Sequence, residues 1–339
     1  MRQRIEWIDI AKGLGMLIVI AGHTVSLRYS YPLYAFHMPL FFFLSGLVMK
    51  DKKEYFKDFV LNKTNDLLRP WVIMLLISFL VCCIIPQWRQ AISFRAILAD
   101  LYTSNTNILQ NSSLWYLVCY FFVLVLFYPI TRVKRTPSVI VLFFVLAVSF
   151  LWMKTILDKS TLPFHRLPFK IDSALVALVF FCIANWNKEI IMKFFSNHIN
   201  GMLILLISVL SGWLCVFNDW SNINSLDFGR YRLLYYPIAL LGILSICLIS
   251  QWISSLKSTG VRYFFQFYGK NSLLIFGFQS LFIRLYLLFF NNIQSLEMQL
   301  YGDNPVIHQA GAFIVVSFVL SPSIVFLFEF LRKKNIKII

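Results

Sequence analysis

Apolar runs of roughly twenty residues, separated by short polar connections, recur along the whole chain. A bilayer core about 30 Å thick is crossed by roughly 20 apolar residues of helix at about 1.5 Å each. The pattern therefore predicts helices near 13–29, 33–49, 71–88, 113–130, 138–153, 171–186, 201–217, 234–253, 272–290 and 309–331. The expected fold class is all-α: a polytopic membrane protein with about ten transmembrane helices in one bundle, residues 1–339 forming a single membrane domain. The connection 50–69 is amphipathic and is expected to lie along the membrane surface as a short helix. The apolar stretch behind Arg2 and Arg4 runs past Ile20 without a small-residue cleavage site, which predicts a retained helix rather than a cleaved leader.

Composition agrees with this pattern. At 59% hydrophobic and 14% charged, with mean hydropathy +0.73, the chain has too few polar residues to cover a soluble surface. The formal charge of +16 raises the question of a nucleic-acid partner, and the placement of the charges answers it. With the N-terminus cytoplasmic, 21 of the 31 Lys and Arg fall in connections on that side and ten elsewhere. Cytoplasmic loops are the basic ones, so the excess reads as orientation: a multi-pass protein of the bacterial cell membrane, both termini cytoplasmic, its partner surface lipid bilayer and no nucleic acid. The six cysteines all sit in apolar segments without ligand spacing, so they read as small hydrophobes and no metal is expected. Gly-rich phosphate loops, GxSxG and HExxH are absent.

The first 50 residues place Asp9, Lys12, His23 and His37 where hydrocarbon makes polar groups costly, so a pairing or a cavity is expected for each. Lys12 and His23 are eleven residues apart, about three helical turns and roughly 16 Å, and share a face. Lys12 is expected at headgroup level, within reach of the phosphates of a nucleotide cofactor. His23 is expected near mid-membrane, its imidazole suited to taking a proton from a hydroxyl. The plainer reading of His23 is an imidazole satisfied by a neighbouring carbonyl. In Phe36-His37-Met38-Pro39, Pro39 suits the first turn of a helix. Ser45-Gly46 would allow close approach to the first helix, or be ordinary small-residue packing.

These residues also carry a family resemblance. RIEWIDIAKG at 4–13, GHT at 22–24 and FHMPLFFFLSG at 36–46 resemble the acyltransferase 3 family, in particular its fucose 4-O-acetylase-like branch. The resemblance continues in order through LRP at 68–70, SLWYL at 113–117, LPFKID at 167–172 and YGKNSL at 268–273. It implies an integral membrane enzyme that moves acyl groups, usually acetyl from cytoplasmic acetyl-CoA, onto sugars of surface polysaccharides or related acceptors. The family's basic residue and histidine fall on Lys12 and His23. Lysine in place of the commoner arginine lacks the bidentate fork. Gln279 stands near a position where many relatives carry a histidine.

The expected activity is thus an O-acetyltransferase, with acetyl-CoA as co-substrate and a glycan or lipid-linked sugar as acceptor. His23, as base for the acceptor hydroxyl or as transient carrier of the acyl group, and Lys12 are the catalytic candidates, with Lys12, Arg4 and Arg69 toward the CoA phosphates. Asp9, His37, Ser45, Trp115 and Asp172 are the candidates for the acceptor. Several have a plainer reading: Arg69 as an orientation charge, Trp115 as an interfacial aromatic, Asp172 as an acid at a helix start. Arg284, inside the ninth helix, is expected to pair or to face a cavity. The rival class is a transporter or flippase of a lipid-linked sugar without acyl transfer, and a third reading, prompted by Gln279, is a degenerate regulatory protein.

Overall fold

The computed structural model describes residues 4–25, 27–50, 54–196, 200–290, 295 and 306–334. Its helices are α1 Glu6–Thr24, α2 Leu27–Tyr34, α3 His37–Val48, α4 Phe56–Lys63, α5 Arg69–Ile84, α6 Pro86–Arg89, α7 Phe94–Thr103, α8 Trp115–Ile130 and α9 Pro137–Phe150. There follow α10 Met153–Leu157, α11 Ile171–Trp186, α12 Lys188–Phe194, α13 Gly201–Asn218, α14 Tyr235–Ser255, α15 Thr259–Lys270 and α16 Ser272–Phe289. The last two, α17 Val306–Ile314 and α18 Ser321–Lys333, are joined by a π-helical turn. A two-residue antiparallel ladder, β1 Ser221–Asn222 with β2 Asp227–Phe228, closes the loop between α13 and α14. Among the described residues, nine helical segments are long and apolar enough to cross a membrane, and α9 is a shorter apolar helix. Exposed apolar side chains such as Leu205, Val209 and Trp213 of α13, or Leu142, Phe144 and Val145 of α9, form the surface that lipid would cover. The protein is an all-α polytopic membrane protein.

Three boundaries differ from the sequence expectation, each for a packing reason. The first helix begins at Glu6 and ends at Thr24, because Trp7, Ile8 and Ile10 bury on the bundle and extend it backward. His23 consequently lies in the last turn of a helix about as long as the bilayer core is thick. It stands at the end of its helix, eleven residues from Lys12, rather than in the middle of the span expected at 13–29. The amphipathic segment expected as a separate surface helix runs as α4 through a π-helical turn, Thr64–Leu68, directly into α5. The helix α15, too short and polar to be read as a span, is the most extensive packing partner of α1. A methyl group on Gly13 would overlap the Phe265 carbonyl, and one on Gly269 the Asp9 carbonyl. The two backbones touch, and only glycine permits it.

Gly46 also serves close approach, but its neighbour is α11, where a Cβ would meet the Phe181 carbonyl and Ala184; it does not face the first helix. Pro39 sits in the first turn of α3 as expected. Trp7 stacks on Phe195 just beyond α12, and Phe326 of α18 lies against Phe267 of α15. The start of α1, α12, α15 and the end of α18 therefore gather at one end of the bundle, the Lys12 end. The ladder, α10 and the 160s loop gather at the other, joined by Arg166 Nη1 donating to the Asn224 carbonyl (2.9 Å) and by the Lys154–Asp227 ion pair.

Candidate active site

At the Lys12 end, the starts of α1 and α16 and the ends of α3 and α15 enclose a cavity of about 380 Å³. Five cationic side chains line it, Arg4, Lys12, Lys50, Lys188 and Lys270, with Asp9 as the single acid. An adjoining cavity of about 480 Å³ shares Lys50 and Lys188 and adds Arg135 and Trp186. Arg135 lies 5.7 Å over the Trp186 ring and donates to the Trp186 carbonyl (3.1 Å). Lys188 Nζ donates to the Met49 carbonyl (3.2 Å) and Lys270 Nζ to Gln266 Oε1 (2.9 Å), and such a concentration of cations around two adjoining hollows makes both electrostatically suited to an anion. From the sequence alone, Lys50, Lys188 and Lys270 read only as orientation charges. Arg69 is exposed near the foot of α5 and is not among the residues lining either cavity.

Eleven residues along α1, the His23 ring is accessible and surrounded by three polar or aromatic neighbours. The Tyr34 hydroxyl lies 3.2 Å from His23 Nδ1 and donates to the Gly22 carbonyl at 2.9 Å. A phenol has one proton. With that proton on Gly22, Tyr34 accepts from His23 Nδ1–H, which fixes the tautomer and leaves Nε2 with a free lone pair. His37 Nδ1 donates to the Leu33 carbonyl (2.7 Å), and its ring stands edge-on to both Tyr34 (4.9 Å) and His23 (6.4 Å). The positive charge of Arg284 acts on His23. Arg284 itself is exposed and is not among the residues lining the basic cavities or the hollow beside Trp220. Sequence reasoning passes over Tyr34: it closes α2 and His37 opens α3, so their approach depends on the turn at residues 35–36 and no helical spacing marks it.

Lys12 and His23 do not line one continuous cavity: His23 is absent from the lining of the Lys12 pocket. On the face between them Met16 and Val19 are fully buried, so the path is packed in this conformation.

The remaining candidates take structural positions. Asp9 is half-buried in the basic pocket. Asp172 is fully buried: one oxygen accepts from Arg166 Nε (2.6 Å) and Leu167 N (3.2 Å), the other from Arg166 Nη2 (2.9 Å) and Ser173 N (2.6 Å). Its carboxylate is occupied by its own chain, in keeping with the plainer reading of an acid holding a helix start. Trp115, the first residue of α8, is buried edge-on to Tyr116. Ser45 faces the phenols of Tyr116 and Tyr120. Gln279 is buried, donating to Ser113 Oγ (2.7 Å) in a chain of hydroxyls that includes Ser280.

A multi-pass helical membrane protein with a polycationic hollow at one end of a helix and an oriented imidazole at the other is the class these features define. The family model described as an acyltransferase domain matches residues 5–326, nearly the whole chain, and the protein belongs to that family. It is a membrane acyltransferase. Comparison with curated proteins and with solved structures returned no match.

Proposed function

We propose that the protein transfers an acetyl group from cytoplasmic acetyl-CoA to a hydroxyl of a surface polysaccharide or lipid-linked sugar, in the manner of the fucose 4-O-acetylase-like branch. The observation that supports this most is the sharing of one rigid helix by Lys12, in a five-cation pocket, and His23, with Nε2 free and Tyr34 holding Nδ1. CoA carries its negative charge at the nucleotide end and its thioester at the end of a long neutral arm. The basic cavities suit the first, with Trp186 and Arg135 beside the phosphates as a surface for the adenine ring. His23 suits the second, reached once the Met16 side chain moves aside. His23 Nε2 takes the proton of the acceptor hydroxyl as its oxygen attacks the thioester carbon, and the CoA thiolate leaves. The Arg284 guanidinium stabilises the negative charge on the carbonyl oxygen. The Lys12 end then faces the cytoplasm with both chain termini. Transport of a lipid-linked sugar without acyl transfer is not favoured, because the family match is to acyltransferases.

Membranes containing the protein, supplied with acetyl-labelled CoA and a surface-glycan extract, test the reading. His23→Ala should lower transfer by about 10²–10⁴-fold at unchanged membrane abundance. Lys12→Ala should raise the KM for acetyl-CoA, with Lys12→Arg intermediate. Full activity in His23→Ala, or better donor binding in Lys12→Ala than in Lys12→Arg, would overturn it.

A further inference from the structure

At the end opposite the basic pocket lies a second hollow, of about 240 Å³, which none of the sequence candidates touches. Its charged lining balances: Lys154, Arg230 and Arg232 against Asp158, Asp219 and Asp227. Lys154 and Asp227 are ion-paired, and Arg232 Nη1 donates to Thr155 Oγ1 (2.8 Å). The indole of Trp220 forms part of the wall and packs on Tyr34, with ring centroids 4.7 Å apart. Tyr34 in turn meets the His23 ring at 5.7 Å and holds its Nδ1. Two ring contacts thus join the hollow to the oriented imidazole.

The wall is built, not incidental. Asp219 adopts φ 65°, unusual for a residue with a side chain, and its Oδ1 accepts from the backbone N–H of Trp220 at 2.7 Å, which pins the turn that carries the indole. Behind it the buried Asn218 side chain donates to the Phe228 carbonyl (3.0 Å) and accepts from Tyr231 N (2.8 Å), fixing the loop on both sides. Gly229, at φ 78°, is pressed so closely on Asn218 that no side chain fits there.

We infer that this hollow is the acceptor site and that it takes one neutral hexose ring, stacked on Trp220 and hydrogen-bonded by Asp158 and Asp219, with a hydroxyl directed past Tyr34 to His23. The inference rests on the acyl-transfer reading for the last clause only. Carboxylates and guanidinium groups beside an indole offer acceptors, donors and an apolar face, the combination a polyhydroxylated ring needs. Equal numbers of positive and negative lining groups disfavour an anionic sugar, in contrast to the five-to-one excess of cations in the Lys12 pocket. The volume is just below the range of about 300–1,000 Å³ filled by drug-sized ligands, which suits a single ring.

Saturation-transfer NMR on the full chain in nanodiscs free of glycoside detergent tests the site, with neutral methyl hexosides and a methyl hexuronide as probes. Saturable transfer from a neutral hexoside is expected, at least tenfold weaker in Trp220→Ala and in Asp158→Asn, largely retained in Trp220→Phe, and unchanged in Lys12→Ala. Helical circular dichroism of each variant separates loss of the site from loss of the fold. No saturable binding by any neutral hexoside, equal binding in Trp220→Ala and wild type, or preference for the hexuronide would each overturn the inference. Hexoside binding of the expected pattern in a protein that moves no acetyl label would instead sink the acyl-transfer reading and leave the sugar site standing.

Discussion

Replacing Tyr34 by Phe removes one oxygen and keeps the ring. The aromatic contacts to His37 and Trp220 survive, while the Gly22 carbonyl loses its donor and His23 Nδ1–H loses its acceptor. The His23 ring is accessible, so water can replace the phenol at Nδ1 and the loss is that of one net hydrogen bond, about 0.5–1.5 kcal/mol. For the imidazole that loss falls on the tautomer and orientation that present Nε2 to the substrate. At about 1.4 kcal/mol per factor of ten, the expected loss in kcat is about 2- to 12-fold. The KM for acetyl-CoA should hold, because the basic pocket lies about 16 Å away along α1. Steady-state transfer of acetyl label, with donor and acceptor varied separately, measures both quantities. Wild-type kcat in Tyr34→Phe would refute the argument that the phenol sets the tautomer. A raised KM for acetyl-CoA at unchanged kcat would place Tyr34 in donor binding instead.

Three further outcomes follow from the packing. Met16→Trp, filling the path between Lys12 and His23, should cut acetyl transfer at least tenfold while adenosine 3′,5′-bisphosphate still binds at the Lys12 end by equilibrium titration; Met16→Leu, which conserves volume, should be tolerated. Wild-type turnover in Met16→Trp would show that the donor arm takes another route. Gly269→Ala should lower thermal stability by about 1–3 kcal/mol of overpacking and weaken donor binding, since the new methyl group meets the Asp9 carbonyl beside the pocket; an unaltered melting curve contradicts the contact. Burial pushes the Asp100 carboxyl above the usual carboxylate range, partly offset by backbone N–H groups of Ile108, Asn107 and Leu109. The folded state then holds its proton to higher pH than the unfolded state. Stability should fall as pH rises from about 4 toward neutrality, and Asp100→Asn should flatten that slope in thermal scans.

Much of this architecture can be read from the chain, because a membrane span must satisfy its own backbone and so announces itself by length. The separation of Lys12 and His23 is equally legible, as both lie on one uninterrupted helix and the rise per residue fixes their distance. What sequence reading loses is whatever depends on a second helix. Nothing in the run around Gly13 says that its neighbour is Phe265, and α15 mixes Phe264, Phe267 and Tyr268 with Arg262, Gln266 and Lys270 too evenly to register as a span. Trp220 is nearly two hundred residues from Tyr34 in sequence, and only the turn at Asp219 brings them together.

The convergence of the charges is not legible in the sequence, for a physical reason. Lys50, Lys188 and Lys270 satisfy the orientation rule wherever on the Lys12 side they point, so their number carries no information about convergence. Convergence is a property of three helix ends meeting beside α1. Once they meet, one helix separates two spaces of different character: five cations and one acid at its start, three of each beyond its end. On the reading proposed above, a polyanionic donor is held at the first, and its charge gives it no reason to pass into the second. Only a neutral acyl group on a neutral arm can travel the intervening Met16 and Val19 face at small electrostatic cost. On that reading the base belongs at the far end of α1 from Lys12, in the last turn, where His23 is found.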